Sequence, residues 1–194
     1  MVFGHIPIWS GWLQRKATQP ALSRAREIDH MRIRPALLAA VLAAASVQSI
    51  AQVDIGAPAP DLLGKTYEGQ DFLVSAHQGK VVVATFWASW CGPCQLELPL
   101  LEGMQKVIGP DRVKVVAISI ESKDRFKQIG SAAKSLALTF VHDTTGSISR
   151  AYGVKGIPHL VVIGRDGKVQ RRFVGYSEKQ VENIIAQVHS ALSE

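Results

Sequence analysis

The chain has 194 residues, 47% of them hydrophobic, and carries 22 lysines and arginines against 16 aspartates and glutamates, a formal charge of +6. This length fits one ordinary domain with an extension and is too short for an eight-stranded α/β barrel, which takes about 250 residues. The two cysteines are too few for a disulfide-dense scaffold or a cysteine-rich zinc finger. The position of the charge decides whether +6 indicates nucleic-acid binding.

Residues 31–51 have the three parts of a secretory signal peptide. Arg32 and Arg34 precede an apolar stretch at 36–47, and small residues follow up to Ala51. The apolar stretch is 12 residues long, short of the roughly 20 that a membrane-spanning helix needs. We therefore expect cleavage after Ala51, export to the periplasm or an equivalent compartment, and no stable membrane insertion afterwards.

Residues 1–30 have neither helical nor strand periodicity, and we interpret them as a non-native upstream extension with Met31 as the functional start. The remaining domain, residues 52–194, has 16 basic and 14 acidic residues, so its formal charge is only +2. It contains no basic stripe interleaved with aromatic residues, and nucleic-acid binding is not expected.

An extended lead-in and a hairpin open this domain. Two prolines in residues 52–60 favour extended backbone, and residues 62–74, with turn signals at 64–65 and 68–69, are predicted as a β-hairpin. The continuous apolar, β-branched run at 81–87 is typical of a strand buried on both faces.

A strand–helix–strand unit follows. After the second cysteine, Leu98, Leu101 and Val107 keep helical spacing until a Gly-Pro pair stops the helix. A second buried strand is predicted at 113–120, and this order is the crossover unit of a parallel sheet.

The rest of the chain alternates helices and strands, which makes the domain α/β in the order β-α-β, α, β-β-α, with an N-terminal hairpin and a short central insertion. A helix is predicted at 123–136, followed by a short apolar piece at 138–141 and a helical turn at 148–152. Strands at 160–163 and 169–174 flank the turn at 165–167. The last element is an amphipathic helix at 178–192 that is apolar at Val181, Ile184, Ile185, Val188 and Leu192.

Both cysteines, Cys91 and Cys94, lie in the motif W-C-G-P-C, between a predicted strand and a predicted helix. A ring this small yields only about 2 kcal/mol of loop entropy, against about 3 kcal/mol for a 15-residue loop, so the pair is a poor structural staple. No further thiolate or imidazole stands at zinc-site spacing, and no metal is expected. The pattern therefore predicts redox chemistry.

The two thiols are expected to differ. Cys91 precedes the helix, whose free N–H groups and dipole should lower its pKa toward the range of about 3.5 to 7.5 and make it the nucleophile. Cys94, one turn inside, should be more buried and act as the resolving thiol. Pro93 is tolerated in the first turn, whereas Pro99 forfeits a hydrogen bond to the carbonyl of Gln95 and should kink the helix.

Several motifs together resemble the thioredoxin superfamily. They are F-W-A-S-W-C-G-P-C at 86–94, Pro99, A-P-x-P-D at 57–61 and A-Y-G-V-x-G-I-P at 151–158. The combination is similar to the exported TlpA/ResA-like branch of thiol:disulfide oxidoreductases and covers essentially residues 56–192. The resemblance implies a thioredoxin fold and an enzyme without a cofactor.

The same resemblance implies a substrate-binding surface made by Trp90, Ile157 and Pro158. Ile157-Pro158 is then a cis peptide packed beside the disulfide, and the backbone of Ile157 is offered to a substrate chain. From the residues alone, a trans proline at the entry of a strand is equally compatible with this sequence.

One departure from cytosolic thioredoxins concerns the proton acceptor. Thioredoxins carry a buried Asp at the position of Thr85, so that acceptor is missing. Glu97 lies three residues after Cys94 on the same helical face, where the exported branch has an acid. We predict that Glu97 is the general acid/base for Cys94, with a pKa raised by burial. The alternative is an exposed helix glutamate.

Two further polar residues are open to more than one interpretation. His159 stands where thioredoxins usually have Thr. It is expected at the rim of the site, either tuning the Cys91 thiolate, contacting substrate, or as a tolerated polar substitution. Glu121, at the end of the second buried strand, either faces the site by family analogy or is a solvated strand end.

The sequence thus predicts an exported, monomeric thiol:disulfide oxidoreductase that reduces specific protein disulfides. By resemblance, its substrates are apocytochrome c thiols before haem attachment or copper-site cysteines of oxidase assembly, and a membrane-embedded thiol reductase recharges it. The alternative is a copper- or haem-handling metallochaperone that uses the cysteines as ligands. Copper chaperones of the related fold favour C-x-x-x-C with a histidine, whereas this chain has C-x-x-C.

Overall fold

The computed structural model describes residues 52–133 and 135–194. The expected upstream extension, signal peptide and cleavage point, residues 1–51, lie outside this part of the chain. Among the helices of the described residues, none is long and apolar enough to cross a bilayer.

Seven strands and four α-helices follow one another along the described residues, with a short 3-10 helix at Ser75–His77. They are β1 (Leu62–Lys65), β2 (Asp71–Leu73), β3 (Val81–Trp87), α1 (Gly92–Ile108), β4 (Val113–Ser119), α2 (Lys123–Ala133), β5 (Thr139–His142), α3 (Ser147–Ala151), β6 (His159–Ile163), β7 (Val169–Val174) and α4 (Glu178–Ser193).

The strands form one sheet in the order β2-β1-β5-β4-β3-β6-β7. β3, β4 and β5 are parallel, while β1–β2 and β6–β7 are antiparallel hairpins and β6 runs antiparallel to β3. The register aligns Trp87, Ser119 and His142 at the carboxyl ends of the three parallel strands. The predicted α/β order is confirmed, and it brings the loops after β3, β4 and β5 to one edge of the sheet.

Each face of the sheet has its own hydrophobic core, because successive side chains of a strand point to opposite faces. Val81 and Val83 of β3 pack on one face against Leu101 of α1 and Ile184 of α4. On the other face Val82, Ala84 and Phe86 join a cluster that includes Tyr152. This alternation decides which polar residues can meet the cysteines, since α1 covers only the first face.

Two apolar positions predicted for the helix cores are exposed. Val107 of α1 is 88% exposed and Ile185 of α4 is 38% exposed. Each helical residue turns the chain by about 100°, so Val107 lies about 240° around the helix from Leu101, and Ile185 lies about 100° from Ile184. Met104, three residues after Leu101, takes the inner position instead. α1 continues through Pro99, and the kink there stays a prediction.

The turn predicted at 64–65 is wrong, because both residues belong to β1. The chain reverses at residues 66–70, where the N–H of Thr66 donates to the carbonyl of Gln70. Gly64 has φ +134°, and a Cβ built there would lie 2.8 Å from the carbonyl oxygen of His142. Glycine is needed here because β1 approaches β5 too closely for a side chain.

Gly64→Ala should therefore destabilise the protein by roughly 2–3 kcal/mol, through backbone strain and the displacement of β5. Gly69→Ala is the matched control: Gly69 also has positive φ, +82°, but nothing lies within 4 Å of its Cβ position. Gly69→Ala should lower the free energy of unfolding by only about 1–2 kcal/mol. Denaturant unfolding of both variants measures the difference, and equal losses would contradict the close approach of β1 to β5.

Candidate active site

The cysteines occupy the start of α1, directly after the buried strand β3. Cys91 is the N-cap residue and its Sγ accepts a hydrogen bond from the N–H of Cys94 at 3.2 Å. The two residues form a disulfide. Cys91 is 5% exposed and Cys94 is fully buried, as the sequence predicted for an outer and an inner thiol. Pro93 lies in the first turn, where its missing N–H costs no helical bond.

Trp90 precedes the cysteines and leaves 71% of its surface exposed. A tryptophan is usually largely buried, so this indole is available to another chain next to Cys91.

Ile157-Pro158 is a cis peptide, as the resemblance implied. The Ile157 side chain packs against the cluster that contains both cysteines. Within the described part of the chain, no hydrogen bond uses the backbone N–H or carbonyl of Ile157, while the carbonyl of Pro158 accepts one from Gly175. A partner chain can therefore reach an unpaired backbone segment beside the disulfide.

Glu97 is buried under α1, with only 1% of its surface exposed. Its Oε2 accepts a hydrogen bond of 2.7 Å from the hydroxyl of Thr85, in β3. Burial raises the pKa of Glu97 to about 7, and the hydrogen bond from Thr85 works in the opposite direction and lowers it. Because residues three apart share a helix face, this carboxyl group neighbours Cys94. The alternative of an exposed helix glutamate is wrong.

From the sequence, Thr85 stands out only as the loss of an aspartate. In the structure Thr85 is itself fully buried and supplies the hydroxyl that orients the Glu97 carboxyl group. A polar residue in an otherwise apolar buried strand was the available signal, since such a group needs a hydrogen-bond partner.

His159 was expected at the rim of the site, and this prediction is wrong. Its side chain is buried, with 2% of its surface exposed. It shares the sheet face of Val161 and Ile163, opposite α1, and its ring meets that of Phe86 edge-on at 5.9 Å. Burial, and next the positive charge of Arg172, lower its pKa to about 4, so the ring is neutral at neutral pH. Strand alternation places it away from the helix that carries the cysteines.

Glu121 faces the active-site loop, which resolves the alternative that the sequence left open. Its carboxylate accepts hydrogen bonds from the backbone N–H of Ser89 at 3.0 Å and from the Ser89 hydroxyl at 2.8 Å. The Nε of Arg125 lies 3.8 Å from this carboxylate and donates to the same hydroxyl at 3.2 Å. The end of β4 thereby holds the loop that presents Cys91. The sequence analysis missed Ser89 and Arg125, whose partners are 32 and 36 residues away in the chain.

A cysteine pair at the N-terminus of the first helix, a buried carboxyl group one turn further and a cis-proline beside the disulfide define a thioredoxin-fold dithiol enzyme. The sequence profile of the AhpC/TSA family matches residues 55–172, more than half of the chain. The chain belongs to this family.

Individual relatives agree with the class. The chain is 30% identical over 131 residues to the thiol-disulfide oxidoreductase ResA of Geobacillus thermodenitrificans, covering 66% of this chain and 74% of that protein. It is 34% identical over 128 residues to the thioredoxin-like protein YneN of Bacillus subtilis, covering 64% and 74%. A crystal structure from Chlorobium tepidum, assigned as a thiol:disulfide interchange protein DsbE, matches with a TM-score of 0.63 and 34% identity over 73% of this chain and 99% of that one. The protein is a thiol:disulfide oxidoreductase with a thioredoxin fold.

Proposed function

We propose that this enzyme is an exported, monomeric reductant of specific protein disulfides, and that Cys91 attacks while Cys94 resolves. The observation that carries the proposal is the asymmetry of the pair: the Sγ of Cys91, which is 5% exposed, receives a helix N–H at the start of α1, and Cys94 is fully buried one turn further in.

The first step is attack on the substrate. In the reduced protein, the N–H of Cys94 and the positive end of the α1 dipole stabilise the Cys91 thiolate. Its sulfur forms a bond to one sulfur of the substrate disulfide, and the second substrate sulfur leaves as a thiolate. The product is a mixed disulfide between Cys91 and the substrate.

The second step releases the substrate. Cys94 loses its proton to the Glu97 carboxylate, and its thiolate attacks the Sγ of Cys91. The substrate sulfur leaves as a thiolate and the disulfide of the oxidised protein forms. A pKa of about 7 suits Glu97 for this transfer, because an efficient general base titrates near the working pH.

Trp90, Ile157 and Pro158 are proposed to hold the substrate chain. The exposed indole supplies apolar contact area, and the unpaired backbone of Ile157 supplies hydrogen bonds to an extended segment. His159, buried on the other sheet face, is limited in this scheme to an indirect effect on the site through the neighbouring Pro158.

The cellular role follows from the family resemblance. In this proposal the expected signal peptide directs export from the cytoplasm, and a membrane-embedded thiol reductase returns the two electrons that each turnover consumes. Cysteines of apocytochrome c or of copper sites in oxidase assembly are the proposed substrates. The relatives named as thiol-disulfide oxidoreductases support this role over a metallochaperone.

A turnover assay tests the proposal. The reduced protein should cleave insulin disulfides catalytically when a chemical reductant recharges it, and Cys91→Ser should lose this activity. Titration with Cu(I) in the same buffer tests the metallochaperone. Tight stoichiometric Cu(I) uptake without disulfide turnover would overturn the proposal.

A further inference from the structure

A pocket of about 290 Å³ lies between the β1–β2 turn and α2, at the sheet edge that also carries the cysteines. One side of it is aromatic. The Tyr67 ring stacks on Phe126 with centroids 4.2 Å apart, and Phe126 stacks on His142 at 5.1 Å. We call this cavity the basic pocket, because three lysines also line it, Lys65, Lys123 and Lys127.

The charge of the basic pocket is one-sided. Among the described residues that line it, none is acidic; the nearby Glu121 carboxylate, which acts on Tyr67, is already bound by Ser89 and lies 3.8 Å from Arg125. Lys65 pairs with Asp71 outside the pocket, while no salt bridge within the described residues involves Lys123 or Lys127. These two lysines stand four apart on one face of α2, where like charges repel. An anion bound between them would relieve this repulsion.

The basic pocket is close to the reactive cysteine. β3, β4 and β5 end in register, and neighbouring strands lie about 4.8 Å apart, so the end of β5 is roughly 10 Å from the end of β3. Side-chain contacts connect the two places: His142 Nε2 lies 2.7 Å from the carbonyl of Glu121, and the Glu121 carboxylate binds Ser89 in the active-site loop. An extended peptide rises about 3.3 Å per residue, so three to five residues span this distance.

We propose that the basic pocket binds an acidic side chain of the protein substrate, three to five residues from the cysteine that Cys91 attacks. Lys123 and Lys127 bind the carboxylate of that acidic residue. The aromatic side of the basic pocket contacts an apolar residue next to it in the substrate. This inference rests on the proposed function, because it assigns part of the substrate's specificity to a second contact. Two lysines that form no salt bridge with a described residue are the complement of a carboxylate-bearing segment.

The test uses the oxidised protein and fluorescein-labelled peptides. One peptide carries glutamate four residues from a serine that replaces the target cysteine, and its twin carries glutamine. Lys127→Glu should weaken binding of the glutamate peptide by about 5- to 10-fold and leave the glutamine peptide unchanged. Lys168→Glu, exposed in the β6–β7 turn at the opposite edge of the sheet, is the control with the same change in net charge and should alter binding less than about twofold.

Three outcomes would overturn the inference: equal affinity of the two peptides, equal losses for the two variants, or no binding of either peptide. Turnover separates this from the proposed function. Reduction of 2-hydroxyethyl disulfide, a small uncharged substrate, should be unchanged in Lys127→Glu. If the wild-type protein did not reduce 2-hydroxyethyl disulfide at all, the reductase mechanism itself would be refuted. The two substituted lysines are exposed, so both variants should fold. Measurement of their unfolding midpoints checks this.

Discussion

Cys94→Ala should lower the turnover rate by roughly a thousandfold or more and leave substrate proteins joined to Cys91 by a disulfide. Cys91 remains able to attack, because its Sγ stays at the N-terminus of α1, where the helix dipole stabilises its thiolate. The fully buried thiol that would release the substrate is gone, and the methyl group that replaces it cannot react. The mixed disulfide therefore accumulates instead of decaying.

Non-reducing electrophoresis and mass spectrometry of adducts from cells that export the variant measure this outcome. Cys91→Ala is the matched control, since it keeps the buried thiol and should neither turn over nor trap. Adducts in equal amount with both variants would show that Cys91 is not the attacking thiol. A complete absence of adducts with Cys94→Ala would contradict the mechanism.

Glu97→Gln should slow disulfide reduction by roughly a hundredfold at neutral pH and remove the rate inflection near pH 7. Glutamine keeps the shape of the side chain but cannot accept the proton of Cys94. Thr85→Val should move the inflection to higher pH, because it removes the hydrogen bond that lowers the pKa of Glu97. Single-turnover rates from pH 5 to pH 9 measure both effects.

Stability gives an independent measure of the same group. The pKa of Glu97 is about 7 in the folded protein against 4.5 for an unperturbed glutamate, so the folded state holds the proton more tightly. Its contribution is fully present below pH 4.5 and is lost as the pH rises through 7. Over this pH range the free energy of unfolding of the wild-type protein should fall by on the order of 3 kcal/mol. Glu97→Gln should not show this fall.

Glu102→Gln is the control for both measurements, since Glu102 lies on the same helix but its contacts, with Lys106 at 2.8 Å and with the backbone N–H of Ala137 at 2.6 Å, lower its pKa instead of raising it. It should keep the wild-type inflection in rate. An unchanged pH dependence in Glu97→Gln would refute the assignment of Glu97 as the general acid/base.

Long-range partners are the part of the site that sequence reasoning reached least well. Glu97 was assigned from its spacing to Cys94, but its hydrogen bond to Thr85 required β3 to lie under α1. Ser89 and Glu121 are 32 residues apart, and only the parallel pairing of β3 with β4 places the two strand ends side by side. No local pattern contains that information.

Two of the wrong predictions concern the side to which a residue points. Val107 faces solvent because it lies about 240° around α1 from Leu101, away from the inner face of the helix. His159 was placed by its neighbour Pro158, whereas strand alternation turned its side chain to the opposite core. Gly64 looked like a turn residue, and the close approach of β5 explains it.

The sequence by itself determined the order of the elements, the outer and inner positions of Cys91 and Cys94, and the carboxyl group one turn along the helix, because these depend on contacts within a few residues. The tertiary structure decided which groups meet across the sheet: Thr85 with Glu97, and Glu121 with the active-site loop. The physical reason is that strand order and register, which arise from the packing of the whole core, set every contact between elements.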